Sequence, residues 1–193
     1  MMLRTEQEPT VMEIARQILQ GRFLTKTLGG LFPDSMPISS VRDILEIACG
    51  VGAWSLEVGQ AYPDKQVTGL DSNPLLLDYA EIQRIAQGWG NVRFRKVERL
   101  LPLDIAPRST DLIGGRFLLT RIPQKNWPAL LQECQRVLRP TGIITSTECI
   151  FMHSNSKALL TYYAYRSQVE RLAHYLLPAV ETDPQVSLHP QNP

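Results

Sequence analysis

From residue 41 onward the chain alternates short apolar runs with longer amphipathic stretches, and this alternation is the mark of βαβ units wound around a parallel sheet. Five runs have the length of buried strands: 43–48, 66–70, 92–97, 111–114 and 142–147. Helical spacing fills three of the gaps. It predicts helices over 53–61, over 74–87 with a proline in the first turn, and over 127–138 with Asn126 as the cap. The connection 100–110 is short and holds two prolines, so any helix there is brief. Ahead of this body, Thr10 and Glu13 have capping-box spacing, and Val11, Ile14, Ala15, Ile18 and Leu19 recur as one face of a helix over 11–23. A loop rich in glycine and proline over 28–40 then leads into the first strand. Beyond the fifth strand, Leu159, Leu160, Tyr163, Val169, Leu172 and Leu176 predict one more helix within 156–177. Pro178, Pro184, Pro190 and Pro193 predict a loosely ordered tail.

A length of 193 residues fits one domain with short additions. The expected division is an N-terminal helix and loop over 1–40, a ligand-binding α/β domain over 41–150, a helix over 151–178 and a tail over 179–193. With 44% hydrophobic and 20% charged residues, the chain can bury a core. Its formal net charge of +1 supplies no basic field, so no nucleic-acid partner is expected. The longest stretches free of Asp, Glu, Lys and Arg, 47–56 and 184–193, are far shorter than the roughly 18 residues of a membrane span. Glu6, Glu8 and Glu13 stand where a secretory leader would be basic and apolar. Cys49, Cys134 and Cys149 form neither a disulfide framework nor a metal-ligand set. The expectation is a cytoplasmic protein without a metal.

The chemistry concentrates after the first strand. Gly50-Val51-Gly52 lies between a predicted strand and a predicted helix, where a tight bend and close ligand approach exclude side chains. Asp71 ends the second strand, where a carboxylate can accept bonds from both hydroxyls of a ribose; it can also cap the turn Ser72-Asn73-Pro74. A nicotinamide dinucleotide and S-adenosylmethionine both carry such a ribose. Glu46, Asp71 and Glu98 place three carboxylates at the C-terminal rim of the sheet, which would repel a pyrophosphate and attract an ammonium and a sulfonium. Ser55 replaces the third glycine of the dinucleotide fingerprint, and no Tyr-x-x-x-Lys follows the fourth strand. The balance favours S-adenosylmethionine over a nicotinamide-dependent redox enzyme.

These residues resemble the class I S-adenosylmethionine-dependent methyltransferases, in particular the group similar to the ubiquinone and menaquinone biosynthesis enzymes. The likeness rests on Ile44-Leu45-Glu46-Ile47-Ala48-Cys49-Gly50-Val51-Gly52, on Val67-Thr68-Gly69-Leu70-Asp71 and on Asn91-Val92-Arg93-Phe94-Arg95-Lys96-Val97-Glu98. It continues through 111–119 and through the helix-turn-strand pattern of 133–142. The resemblance implies a Rossmann-like three-layer α/β sandwich with a mainly parallel sheet in the order 3-2-1-4-5. It also implies S-adenosyl-L-methionine as cofactor, held by Glu46, Ala48, Cys49, Gly50, Gly52, Asp71, Ser72, Glu98, Gly115 and Arg116. The implied activity is in-line methyl transfer to a small-molecule acceptor.

The sequence departs from the family pattern at Ala48 for the first glycine of the bend, Glu98 for the usual Asp, and Thr141 for the first glycine of a Pro-Gly-Gly turn. The family's C-terminal antiparallel hairpin has no counterpart after residue 177. This implies a truncated domain, a gene fragment, or a fifth-strand edge covered by a homodimer mate or another chain. It also leaves an alternative function, a catalytically silent protein that binds the cofactor and acts through a protein partner. The weak candidate for a catalytic base is His153, beside Glu148, Tyr162 and Tyr163; a surface histidine, a strand-ending glutamate and packing tyrosines are the plainer readings. Arg116 either orients a carboxylate of cofactor or acceptor or pairs with a nearby glutamate. The N-terminal helix either covers the acceptor pocket or only shields the sheet.

Overall fold

The computed structural model describes residues 10–148 together with 156–158, 160, 161 and 165. Helix α1 (Val11–Thr27) leads through a short 3-10 turn (Ile38–Ser40) to β1 (Asp43–Ile47), α2 (Ala53–Ala61), β2 (Gln66–Asp71), α3 (Pro74–Gln87) and β3 (Val92–Lys96). Then come β4 (Thr110–Arg116), the one-turn helix α4 (Leu118–Arg121), a 3-10 turn (Gln124–Asn126), α5 (Trp127–Val137) and β5 (Leu138–Thr147). The sheet is parallel throughout, in the order β3-β2-β1-β4-β5. This is the Rossmann-like order expected from the sequence, with β1 at the centre.

Burial on both faces explains why the strands read as continuous apolar runs. Leu45, Ile47, Leu70 and Ile113 point to the face covered by Leu118, Leu130, Cys134 and Val137 of α4 and α5. Ile44, Val67, Val92 and Leu112 point to the other face, against Trp54 and Val58 of α2. Each fully buried aliphatic side chain contributes roughly 1.5–3 kcal/mol, so these two clusters carry most of the fold's stabilisation. Asn91 fastens α2 to the sheet by donating from Nδ2 to the carbonyls of Gly59, Tyr62 and Lys65. Lys65, buried at 3% exposure, donates from Nζ to the carbonyl of Val41 ahead of β1.

Several boundaries differ from the sequence reading. Helix α1 runs four residues further, to Thr27, because Leu28 N still donates to the carbonyl of Leu24. Strand β4 extends over Thr110–Arg116 rather than 111–114, and β5 begins at Leu138 because Thr110 pairs with it before the register shifts to Leu112 with Ile143. Asn126 precedes α5 but makes no side-chain cap bond; its N–H donates to the carbonyl of Pro123, so a 3-10 turn already starts the helix. The connection 97–109 carries no helix. Glu133 and Arg136 of α5 brace it instead, accepting from Leu103 N and donating to the carbonyls of Leu103 and Ile105. The predicted C-terminal helix and tail lie largely outside the described residues. No helix among the described residues is long and apolar enough to cross a membrane.

Candidate functional site

The bend between β1 and α2 is a run of left-handed backbone: Ala48, Gly50 and Gly52 have φ of 56°, 55° and 69°. The strand rises out of the sheet here and must reverse into a helix, so the residue types are dictated by conformation before chemistry. Cys49 N donates to the carbonyl of Leu70, tying the bend to β2. Gly50 N donates to Asp71 Oδ2 at 2.8 Å, and Asn73 N donates to Asp71 Oδ1 at 2.9 Å. Asp71, 3% exposed, therefore joins the first bend to the second. Each of its oxygens takes one N–H and keeps a further lone pair, the capacity a pair of ribose hydroxyls requires. Ser72 follows it at the surface.

Glu46 lies beneath the bend on the α2 face. Its Oε2 accepts from Ser55 N at 3.1 Å and from Ser55 Oγ at 2.5 Å, and the residue is 3% exposed. Burial is the chief cause that lifts its carboxyl from the ordinary 4.5 to about 7; the bonds from Ser55 and the charge of Arg116 act against that rise, and Asp71 adds to it. Position 55, chosen by the sequence only as a missing glycine, is thus the partner of the buried acid. Glu98 is exposed, two residues past the end of β3. Gly115 is buried in β4 with its Cα side against Leu118. The Cys49 thiol is buried, and that burial, with Glu46 and Asp71 nearby, pushes its pKa well up.

Gly52 does packing work: a Cβ there would lie 2.5 Å from the Phe94 ring and 3.0 Å from Ala80. Arg116 donates from Nη1 to the carbonyl of Gly21 and from Nη2 to Thr25 Oγ1, so it clamps α1 onto the rim. Thr25 in turn donates to Glu57 of α2 at 2.6 Å. Glu148 accepts from Leu118 N and Leu119 N and from Ser146 Oγ, capping the short α4. His153, Tyr162 and Tyr163 lie outside the described residues.

Two residues that the sequence did not point to stand over the bend. A Cβ on Gly50 would meet Gln17 Oε1 of α1 at 2.7 Å and Arg121 Nη2, at the end of α4, at 3.7 Å. Only the spatial return of α1 and α4 to the same rim reveals them. Two cavities, of about 220 and 250 Å³, open elsewhere. The first lies between Leu45, Thr68, Arg93, Arg95 and Ser109, where the connection 97–109 leaves the sheet without a helix; the second lies between Ser40, Asp111 and Thr141. Neither is lined by the residues of the bend. No group of His, Cys, Asp and Glu able to hold a metal occurs among the described residues.

A family profile described as a methyltransferase domain matches residues 44–142. The chain is 29% identical over 113 residues to the methyltransferase str3 of Strobilurus tenacellus, covering 58% of this chain and 37% of that protein. It is 27% identical over 114 residues to the demethylmenaquinone methyltransferase of Geobacillus kaustophilus, covering 58% and 47%. The chain spans only 27–39% of the first curated relatives it matches. Among solved structures, a SAM dependent methyltransferase from Aquifex aeolicus superposes with a TM-score of 0.54 at 17% identity, over 74% of this chain and 71% of that one; that likeness bears on the fold.

Proposed function

The chain belongs to the methyltransferase-domain family, within the class I S-adenosylmethionine-dependent methyltransferases, and on that premise we propose that it transfers a methyl group from S-adenosylmethionine to a small-molecule acceptor. Residues 41–150 are the proposed cofactor-binding unit. The observation that carries the reading is the coupling of the two bends, with Asp71 accepting from Gly50 N while its remaining lone pairs stay available for a ribose. The residues fit an adenosine bearing a positive centre: Gly50 presents backbone without a side chain, and the Asp71 carboxylate lies beside it. When bound, the cofactor supplies a methyl group on a sulfonium, whose positive charge disperses as the acceptor attacks in line.

The protein's share of such a reaction is orientation and exclusion of water. Asp71 would grip the sugar, the bend would set the depth of approach, and α1, clamped by Arg116, would roof the rim. Glu148 is committed to capping α4, which removes it from the candidate bases. The small-molecule acceptor is supported by the low net charge and by relatives named as small-molecule enzymes, among them the Geobacillus kaustophilus protein and a ubiquinone biosynthesis O-methyltransferase of Paracidovorax citrulli. The outer edge of β5, which pairs with no strand among the described residues, is where a further strand or second chain would add.

Isothermal titration with S-adenosylhomocysteine tests the cofactor assignment; saturable binding is expected, and no heat at millimolar ligand overturns it. A mass-spectrometric search for metabolites that gain one methyl group in the presence of protein and cofactor tests turnover. Cofactor binding without any methylated product would overturn the enzymatic reading.

A further inference from the structure

Helix α1 carries apolar side chains on two sides, and the fold uses one of them. Gly21 is buried against Ala53 of α2, and Ile14, Ile18 and Thr25 share that side, each half-buried. At 3.6 residues per turn, Met12, Leu19 and Phe23 fall within about 40° of one another on the opposite side. They are 78%, 66% and 67% exposed, so the core gains almost nothing from them. Arg22 and Lys26 border this strip on one edge and Arg16 on the other, all three exposed. The single acid of the helix, Glu13, is bonded by Nε and Nη2 of Arg16. Arg22 and Lys26 make no hydrogen bond or ion pair among the described residues, so the outward face keeps two cations that nothing on it neutralises.

Scattered exposed apolar residues are ordinary on a protein surface; an aligned strip edged by cations on both sides is not. A neutral apolar partner would leave the cations unmatched, and a purely acidic one would leave Met12, Leu19 and Phe23 in water. A layer of anionic headgroups over acyl chains meets both: the strip enters the acyl boundary while the long basic side chains reach the headgroups beside it. A protein groove is a poorer match, because it reads anchors three and four places apart, and between Met12 and Leu19 those places hold Ala15 and Arg16. We propose that the outward face of α1 docks the protein on an anionic lipid bilayer, with the helix lying in the interface rather than crossing it. Met12, Leu19 and Phe23 insert, and Arg22 and Lys26 engage the headgroups. Nothing in this assignment depends on what the rim of the sheet binds.

The experiment is co-sedimentation of the full chain with vesicles of phosphatidylcholine alone and of phosphatidylcholine with about 30% phosphatidylglycerol. Binding is expected to the anionic vesicles only, and about 0.5 M NaCl should release it. The double variant Arg22→Gln, Lys26→Gln should weaken that binding by about tenfold to thirtyfold, and Leu19→Gln, Phe23→Gln by about tenfold or more. Ile82→Gln, Ile85→Gln removes two equally exposed apolar side chains from α3 and should change it by less than about twofold. All six positions are exposed, and thermal unfolding of each variant checks that the fold persists; the charge variant is decisive if the apolar one melts early. No binding to anionic vesicles, equal binding to both kinds, or an equal loss from the α3 variant overturns the proposal. Light scattering supplies the remaining arm: a dimer that Leu19→Gln, Phe23→Gln turns into a monomer, without vesicle binding, gives the face to a second copy of the chain instead.

Discussion

Glu46 is a carboxylic acid held where its charged form is costly. Its folded pKa of about 7 lies above the ordinary 4.5, so between these values the folded state binds more protons than the unfolded chain. Stability from this group is then fully present below about pH 4.5 and is lost as pH rises through 7. The shift corresponds to a loss on the order of 3 kcal/mol across that window. Glu46→Gln keeps an acceptor for Ser55 and removes the titration, so urea unfolding between pH 5 and 8 should show a flatter dependence on pH than wild type. An unchanged slope would assign the effect to another group. The left-handed residues make a second case. Thr141 at φ 70° and Ala48 at φ 56° occupy positions where a Cβ crowds the following carbonyl. Thr141→Gly and Ala48→Gly should each raise the unfolding free energy by roughly 0.5–1 kcal/mol. Gly52→Ala runs the opposite way, adding the left-handed penalty to a collision with the Phe94 ring, and should cost about 2–4 kcal/mol by denaturant titration.

At the scale of elements, α1 is held to the rim by a few directional contacts. A Cβ on Gly21 would lie 2.9 Å from Ala53 Cβ, so the helix lies close against α2, and Arg116 and Thr25 complete the joint. Val11, Met12, Leu19 and Phe23 of the same helix remain exposed. Arg116→Met should therefore speed amide exchange across 11–27 while α5 keeps its protection, and equal exchange in both would deny the clamp. Helical spacing gave α2 and α3 to the residue, with Pro74 opening α3; the structure adds Asn73 as its side-chain cap and Gly88 closing it in the left-handed conformation. Helix α4 was not readable. It starts after Phe117, a non-glycine residue at φ 58°, and is capped by Glu148, thirty positions away. The extension of β5 back to Leu138 escaped for the same reason, since its cause is pairing with Thr110 across the sheet.

For the molecule as a whole, the parallel sheet and the place of the bend were legible because alternating apolar runs and a Gly-x-Gly in strand-to-helix context are local patterns, whereas the strand order came from the family resemblance. The roof was not, because Gln17 and Arg121 meet only after α1 folds back and β4 delivers α4 to the same rim. The same convergence gives Asp71 two roles at once, and one substitution can separate them. Asp71→Asn offers a single oxygen acceptor, so its amide must face either Gly50 N or Asn73 N as a donor against a donor. That conflict should lower stability by about 1–3 kcal/mol in urea titration. A purely structural Asp71 would lose only this, with S-adenosylhomocysteine affinity preserved at a temperature where the variant is fully folded. An Asp71 that also grips the ribose should lose affinity by about tenfold or more under those conditions, because a charge-assisted acceptor is removed from the sugar as well as from the bend. Measuring both quantities on one preparation distinguishes the two, since unfolding lowers the number of binding sites whereas loss of the grip lowers the affinity of every site.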